Sequence, residues 1–285
     1  MKFLLLPFVL LTTLASRAQY YYNDIIGTRE TSLLMKTYTG NKVRTVSATG
    51  YDGRNVKATD FSEFQEIREN GRLLKYSSIV NFNKTVTYSR FDGEGRLASI
   101  TDSSSAVQNT TVYSYDAAGR VSKVENVASD SASEFNHTET HIWLYGTNGK
   151  PEKMWRIIRS SAEEMGIDSL EVRFVLDENG NIAEERTFKR NVETGYLYYY
   201  YDEQNRLLDI VRYNTRLKKL LPDIMFEYDE KGNIAQKTTT TSSLHLGYLI
   251  WRYIYNDKGL KTKEVLFNSN KEITGKIEYS YTFGN

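Results

Sequence analysis

The sequence predicts an all-β fold built from tandem antiparallel β-hairpin repeats, on three observations. A turn motif recurs along most of the chain, and aromatic or apolar residues alternate with others ahead of most copies. The composition also favours strands, with 22 tyrosines and 12 phenylalanines against 3 prolines.

The motif is clearest at Tyr115 to Val124, YDAAGRVSKV. Asp116 sits where its side chain can bond the backbone two residues on. Gly119 sits where a type I turn closes into a left-handed residue that only Gly or Asn tolerates cheaply. Tyr115 therefore ends one strand and Val121 opens the next. A single D-x-x-G arises by chance in many surface loops, so the signal lies in its recurrence. Aligned on the aromatic position, the copies begin at Ile67, Phe91, Tyr115, Tyr145, Leu176, Tyr201, Tyr228 and Tyr255, with Tyr281 opening a truncated ninth. Four positions later stand Gly71, Gly95, Gly119, Gly149, Gly180, Asn205, Gly232 and Gly259. The one departure is the other residue that accepts the left-handed conformation, as a backbone requirement would produce. After the aromatic come Asp92, Asp116, Asp177, Asp202, Asp229 and Asn256, with Arg68 and Gly146 in the other two copies.

Stepping back by two from each aromatic gives Tyr113, Trp143 and His141, Phe174 and Val172, Tyr199 and Leu197, Phe226 and Ile224, Tyr253 and Trp251, Tyr279 and Ile277. A period of two is one face of a strand, so these residues predict a core-facing ladder. The intervening residues, such as Arg173, Arg252, Glu278 and Ser280, predict an opposite face that is half wet.

Taken in order, residues 1–18 (MKFLLLPFVLLTTLASRA) carry Lys2, an apolar run from Phe3 to Leu11, and small residues at Ser16 and Ala18. This is the pattern of a secretory signal peptide cleaved after Ala18, with an apolar run shorter than the roughly 20 residues a membrane anchor needs. The expected address is secreted, periplasmic or cell-surface, with no transmembrane segment after cleavage. The remaining 267 residues carry 35 basic and 36 acidic side chains, a balance that argues against nucleic acid and anionic membrane surfaces as partners. An exported chain with no cysteine has no disulfide framework and must be held by burial.

Residues 19–60 carry fainter strand signals at Lys36 to Tyr38 and Lys42 to Val46, and read as degenerate repeats capping the array. The array proper occupies residues 61–285. Two longer connections, Val127 to Asn136 and Ser160 to Ser169, read as surface loops, and the threonines of Thr238 to Ser243 suit an exposed strand.

The corner motif resembles the YD repeat of bacterial Rhs-type proteins, best at FDGEGRLASI from Phe91, YDAAGRVSKV from Tyr115, YDEQNRLLDI from Tyr201 and YDEKGNIAQK from Tyr228. The resemblance runs from Ile67 to the C-terminus. It implies successive hairpins forming one long curling sheet, an open or partly closed barrel-like shell. Large members wrap such a sheet around a toxin. This chain has about nine copies, and they run to Asn285 with no variable toxin domain after them.

Chemistry is sparse. The histidines of HTETH, His137 to His141, are four apart, but a zinc protease helix needs its glutamate directly after the first histidine. In a strand those four residues span about 13 Å, too far for one ion. His141 instead shares the register of Trp143 and Tyr145 and reads as packed. Asp177, Asn179 and Asn181 alternate like calcium ligands, but Gly180 falls out of place and no glutamate follows at the twelfth position. No metal and no cofactor is expected. The recurrent residues Asp92, Gly95, Asp116, Gly119, Asp177, Gly180, Asp202, Asn205, Asp229, Gly232 and Gly259 are explained by turn closure, so no catalytic residue is assigned.

What remains is YLYYYY, Tyr196 to Tyr201. Tyr199 and Tyr201 belong to the ladder, whereas Tyr196, Tyr198 and Tyr200 fall on the wetter face, as cross-strand packing or as a platform for a sugar or peptide. The sequence thus predicts a non-enzymatic exported scaffold or binding module engaging a glycan or a protein. The alternative is an envelope hydrolase with no recognisable site. The final strand, Lys276 to Phe283, is expected to leave an edge, either protected by its charges or suited to strand addition by a partner.

Overall fold

A computed structural model describes residues 19–103, 107–130, 136–160, 167–214, 216–240 and 247–284. The signal-peptide segment, 1–18, lies outside the described residues. Among the described residues, a helical stretch is followed by eighteen strands. The first nine are β1 (Val43–Asp52), β2 (Lys57–Arg68), β3 (Leu73–Val80), β4 (Asn83–Phe91), β5 (Leu97–Asp102), β6 (Val107–Tyr115), β7 (Val121–Asp130), β8 (Asn136–Tyr145) and β9 (Pro151–Ser160). The rest are β10 (Ile167–Leu176), β11 (Ile182–Lys189), β12 (Val192–Tyr201), β13 (Leu207–Asn214), β14 (Lys219–Tyr228), β15 (Ile234–Thr240), β16 (Tyr248–Tyr255), β17 (Lys261–Phe267) and β18 (Ile273–Phe283).

Each strand pairs antiparallel with its neighbours in sequence, and β1 also pairs with β18 from Val43–Phe283 to Asp52–Gly275. The sheet is therefore a closed barrel, an arrangement that removes both edges. The expected C-terminal edge does not exist: β18 is bonded to β17 on one side and β1 on the other, and the Gly284 N–H donates to the Lys42 carbonyl at 2.7 Å. Strand addition there is corrected by closure.

The motif corners follow the even-numbered strands and so form one rim. Asp92, Asp116, Asp177, Asp202 and Asp229 each accept the N–H groups two and four residues on, at 2.8–3.0 Å. Gly95, Gly119, Gly180, Gly232 and Gly259 have φ of 71–83°, and Asn205 has 59°, the left-handed values the alignment requires. Two further features link each copy to the next. The Asp92–Arg96, Asp116–Arg120 and Asp202–Arg206 pairs hold guanidinium groups 4.3–4.6 Å from the ring centres of Tyr115, Tyr145 and Tyr228. The phenols of Tyr115, Tyr145, Tyr201, Tyr228, Tyr255 and Tyr281 donate to the carbonyls of Leu97, Val121, Ile182, Leu207, Ile234 and Lys261, at 2.6–3.1 Å. Each acceptor lies one repeat back, so the hydroxyl gives tyrosine a role at this position that phenylalanine could not fill.

The ladder faces inward. Trp143, Phe174, Tyr199, Phe226, Trp251, Tyr253 and Ile277 are buried, and Trp143 stacks on Phe174 with centroids 5.1 Å apart. The barrel end with the motif rim is filled by the N-terminal segment. A π-helical turn, Tyr21–Ile26, leads into α1, Gly27–Gly40. Thr28, Thr31, Ser32, Met35 and Tyr38 are the buried face of α1, at the three- and four-residue spacing of a helix. The hydroxyls of Thr31 and Ser32 are satisfied within the helix, Thr31 donating to Gly27 O and Ser32 to Thr28 O, each at 2.8 Å. Met35 and Tyr38 pack with Val43, Val46, Leu74 and Leu97 of the wall.

Several expectations are corrected here. Lys36 to Tyr38 is helical, since three alternating residues cannot distinguish a period of two from one of 3.6. Of the expected cap at 19–60, Tyr21–Gly40 is helical, and the remainder enters β1 and β2, staves that close the ring. Strand continues through 127–130 and from 167, parts of both expected loops. Thr238, opposite Met225 and Ile250 on the outer face of the wall, is buried, while 241–243 lie outside the described residues.

Candidate binding face

Alternation places Leu197 and Tyr199 in the barrel wall's interior and Tyr196, Tyr198 and Tyr200 on its outer surface. The register brings partners to this row: Arg186 and Glu184 of β11 lie opposite Tyr196 and Tyr198, and Val211 and Asp209 of β13 lie opposite Tyr198 and Tyr200. The rings of Tyr196 and Tyr198 are parallel within 6° at 6.5 Å, and Tyr213 meets Tyr196 edge-on at 6.4 Å. Glu193 accepts the Tyr196 hydroxyl proton and holds that phenol's pKa above its ordinary value. Arg186 is tied to Glu184 at 2.5 Å. Tyr200 remains 44 % exposed. Tyr198 and Tyr200 line a depression of about 300 Å³ whose other walls include Glu184, Asp177 and Asp202. It is a shallow aromatic surface ringed by hydrogen-bonding oxygens.

A second depression, of about 240 Å³, lies on the outer surface of β9 to β11 between Trp155 and Phe188, with Glu171 and Asp168 in its lining. Here Glu171 is buried beneath its partners, accepting from Arg173 at 3.0 Å twice and from Lys153 at 2.7 Å. Those bonds hold the Glu171 carboxyl down to about 2. Ion pairs such as these, with Lys276–Glu278 on β18, make the outer face unlike the apolar band of a lipid-facing barrel. Among the described residues no helix is long and apolar enough to cross a membrane.

One set of titratable groups inside the barrel joins the wall to the plug. Asp24 Oδ2 meets His141 Nδ1 at 2.6 Å and accepts from Trp143 Nε1 at 3.0 Å. His141 Nε2 meets Glu139 Oε1 at 2.8 Å, and Arg156 donates twice to Glu139 at 2.7 Å. Burial opposes a charge on His141, but the Asp24 and Glu139 carboxylates outweigh it and push its pKa up to about 9, so both ring nitrogens donate. Burial likewise opposes a charge on Glu139, yet the bonds from His141 and Arg156 hold it down to about 2. Glu185, fully buried and raised by that burial, accepts from the Tyr20 and Tyr21 N–H groups and the Tyr199 hydroxyl at 2.8–3.1 Å. These carboxylates anchor the plug to the wall.

The expected site residues thus fall in two places. Tyr196, Tyr198 and Tyr200 share one exposed face, whereas the corner residues are spread around the rim, each within its own turn. Asp177 is such a corner: its carboxylate accepts Asn179 N, Asn181 N and Asn181 Nδ2, which uses the oxygens an ion would need. Among the described residues no group of three acidic or histidine side chains is placed to hold a metal. His141 is the packed ladder residue that its register indicates. Sequence reading passed over Trp155, Phe188, Glu184, Arg186 and Tyr213. Their alternation with buried neighbours such as Met154 was visible, but their meeting depends on cross-strand register.

Residues 91–129 match the family model described as RHS Repeat. Among solved structures, the chain is similar to the Photorhabdus luminescens Tc holotoxin pore, at 13 % identity and a TM-score of 0.33, covering 78 % of this chain and 12 % of that one. It is also similar to a porin-like protein from Bacteroides uniformis, at 10 % identity and a TM-score of 0.43, covering 85 % of this chain and 97 % of that one. No curated protein matches.

Proposed function

As a chain that carries an RHS repeat in a closed, plugged barrel, this protein is, we propose, an exported non-enzymatic scaffold that holds a glycan of the cell envelope or surface on its outer tyrosine row. The observation that carries the reading is the set of half-buried, parallel rings of Tyr196 and Tyr198 with the exposed Tyr200 beside them, walled by carboxylates already engaged elsewhere. Aromatic faces offer apolar area at little entropic cost, and the ring of oxygens offers acceptors for hydroxyl groups. The recurrent polar residues are consumed by turn closure and by the plug, which supports binding over catalysis.

The test is calorimetric titration of the purified protein with a panel of envelope glycans. Tyr198→Ala with Tyr200→Ala should lower affinity by about tenfold, or about 1.4 kcal/mol, with an unchanged unfolding midpoint. Turnover of any of these polymers that disappears on replacing one acidic residue outside the corners would make the protein a hydrolase instead.

A further inference from the structure

The two outer depressions lie on one face and are joined by side chains of the same kind. Trp155, Glu171 and Phe188 stand directly opposite one another across β9, β10 and β11. Phe188 is paired with Glu193 of β12, and from there the outward positions of β12 run through Tyr196 and Tyr198 to Tyr200. Three strand spacings across and about seven residues along place Trp155 roughly 25 Å from Tyr200. The intervening surface is aromatic at Phe188, Tyr196 and Tyr198. No single sugar ring spans that length, and a short oligosaccharide does.

Charge narrows the class. In the first depression Glu171 is neutralised by Arg173 and Lys153, and Asp168 by Lys189 at 2.9 Å. In the second, Glu184 is paired with Arg186 and Asp202 with Arg206. Hydroxyl groups can bond the remaining lone pairs without breaking those pairs, and with two cations on Glu171 and Arg190 in the same lining the first depression keeps no unpaired carboxylate for a cationic ligand. At 240 Å³ the Trp155 depression lies just below the volume of about 300 Å³ where pockets for drug-sized ligands begin, so it suits one ring of a longer chain. Trp155 is 37 % exposed, enough to offer that ring an edge and part of a face.

We propose that Trp155 and Phe188 form a second subsite, and that the outer face of β9 to β12 is one continuous track for a neutral polysaccharide chain, bound along its length. This rests on the tyrosine row being a glycan site. The experiment uses the full exported chain and neutral gluco- and manno-oligosaccharides from dimer to octamer, titrated calorimetrically against wild type, Trp155→Ala with Phe188→Ala, and Tyr198→Ala with Tyr200→Ala. Affinity should rise with length by at least tenfold and then level off. The Trp155/Phe188 variant should bind the octamer no better than wild type binds a short oligomer, and should bind the short oligomers as wild type does. Hydrogen-exchange protection confirms that each variant is folded. Length-independent affinity, or full octamer affinity in the Trp155/Phe188 variant, would overturn the track while leaving the tyrosine site standing. Binding that ignores Tyr198 and Tyr200, or no binding to any of these oligosaccharides, would overturn both.

Discussion

Asp24→Ala removes one of the acceptors that latch the plug to the barrel wall, and its cost can be worked from the contacts. Asp24 is 7 % exposed and bonds both the His141 imidazolium and the Trp143 indole N–H. Truncation leaves two buried donors without that partner, one of them charged, and removing one member of a buried ion pair costs about 3 to 5 kcal/mol. The pKa gives an independent figure. Raising His141 from 6.5 to about 9 favours its charged form by about 3 kcal/mol, shared between Asp24 and Glu139. Because the folded value lies above the unfolded one, this contribution is complete below about pH 6.5 and is lost as pH rises through about 9. The variant should therefore lose about 3 kcal/mol at pH 6 and roughly half as much at pH 10, where His141 is neutral in both proteins. Urea unfolding followed by tryptophan fluorescence measures this, since Trp143 stacks on Phe174 beside the latch. A loss below about 1 kcal/mol, or one equal at both pH values, would refute the latch.

Three further outcomes are expected. Gly119→Val should destabilise by about 1 to 2 kcal/mol, because φ there is +76°, while Asn205→Gly should be close to neutral; equal effects in denaturant melts would contradict the shared corner geometry. Tyr228→Phe removes the bond to the Leu207 carbonyl and should cost about 1 kcal/mol in the same melts, whereas an unchanged midpoint would deny the inter-repeat link. Mass spectrometry of the exported protein should find Gln19 at the N-terminus, and an intact Met1 peptide in that fraction would contradict cleavage after Ala18.

Repeating units were legible because corner chemistry is local. An aspartate, a spacer and a left-handed residue meet within five positions, so Asp116 and Gly119 announce the same turn in sequence and in space. The ladder was legible for a similar reason, since its period of two survives in the copies from Tyr115 onward. Closure was not legible: pairing Val46 with Tyr281 depends on how far eighteen strands curl, which no local residue encodes. The plug was hidden because the buried face of α1 is rich in hydroxyls, Thr28, Thr31 and Ser32, and has a weak apolar stripe. Asp24 looked like any surface aspartate until its distance to His141, 117 residues away, was known. On the binding face the tyrosines were visible as a run, but Trp155 and Phe188 came into line with them only through register.

Closure of the ring is the claim on which the rest depends, since it removes the sheet edge and leaves the outer face for recognition. Ser47 and Ser280 stand directly opposite on β1 and β18, and the chain has no native cysteine. Ser47→Cys with Ser280→Cys should give, under mild oxidation, a monomer with a single intramolecular disulfide, seen as a mobility shift that reductant reverses. Thiols that stay reduced, or that link only between molecules, would mean that β18 ends in an open edge and that the barrel does not close.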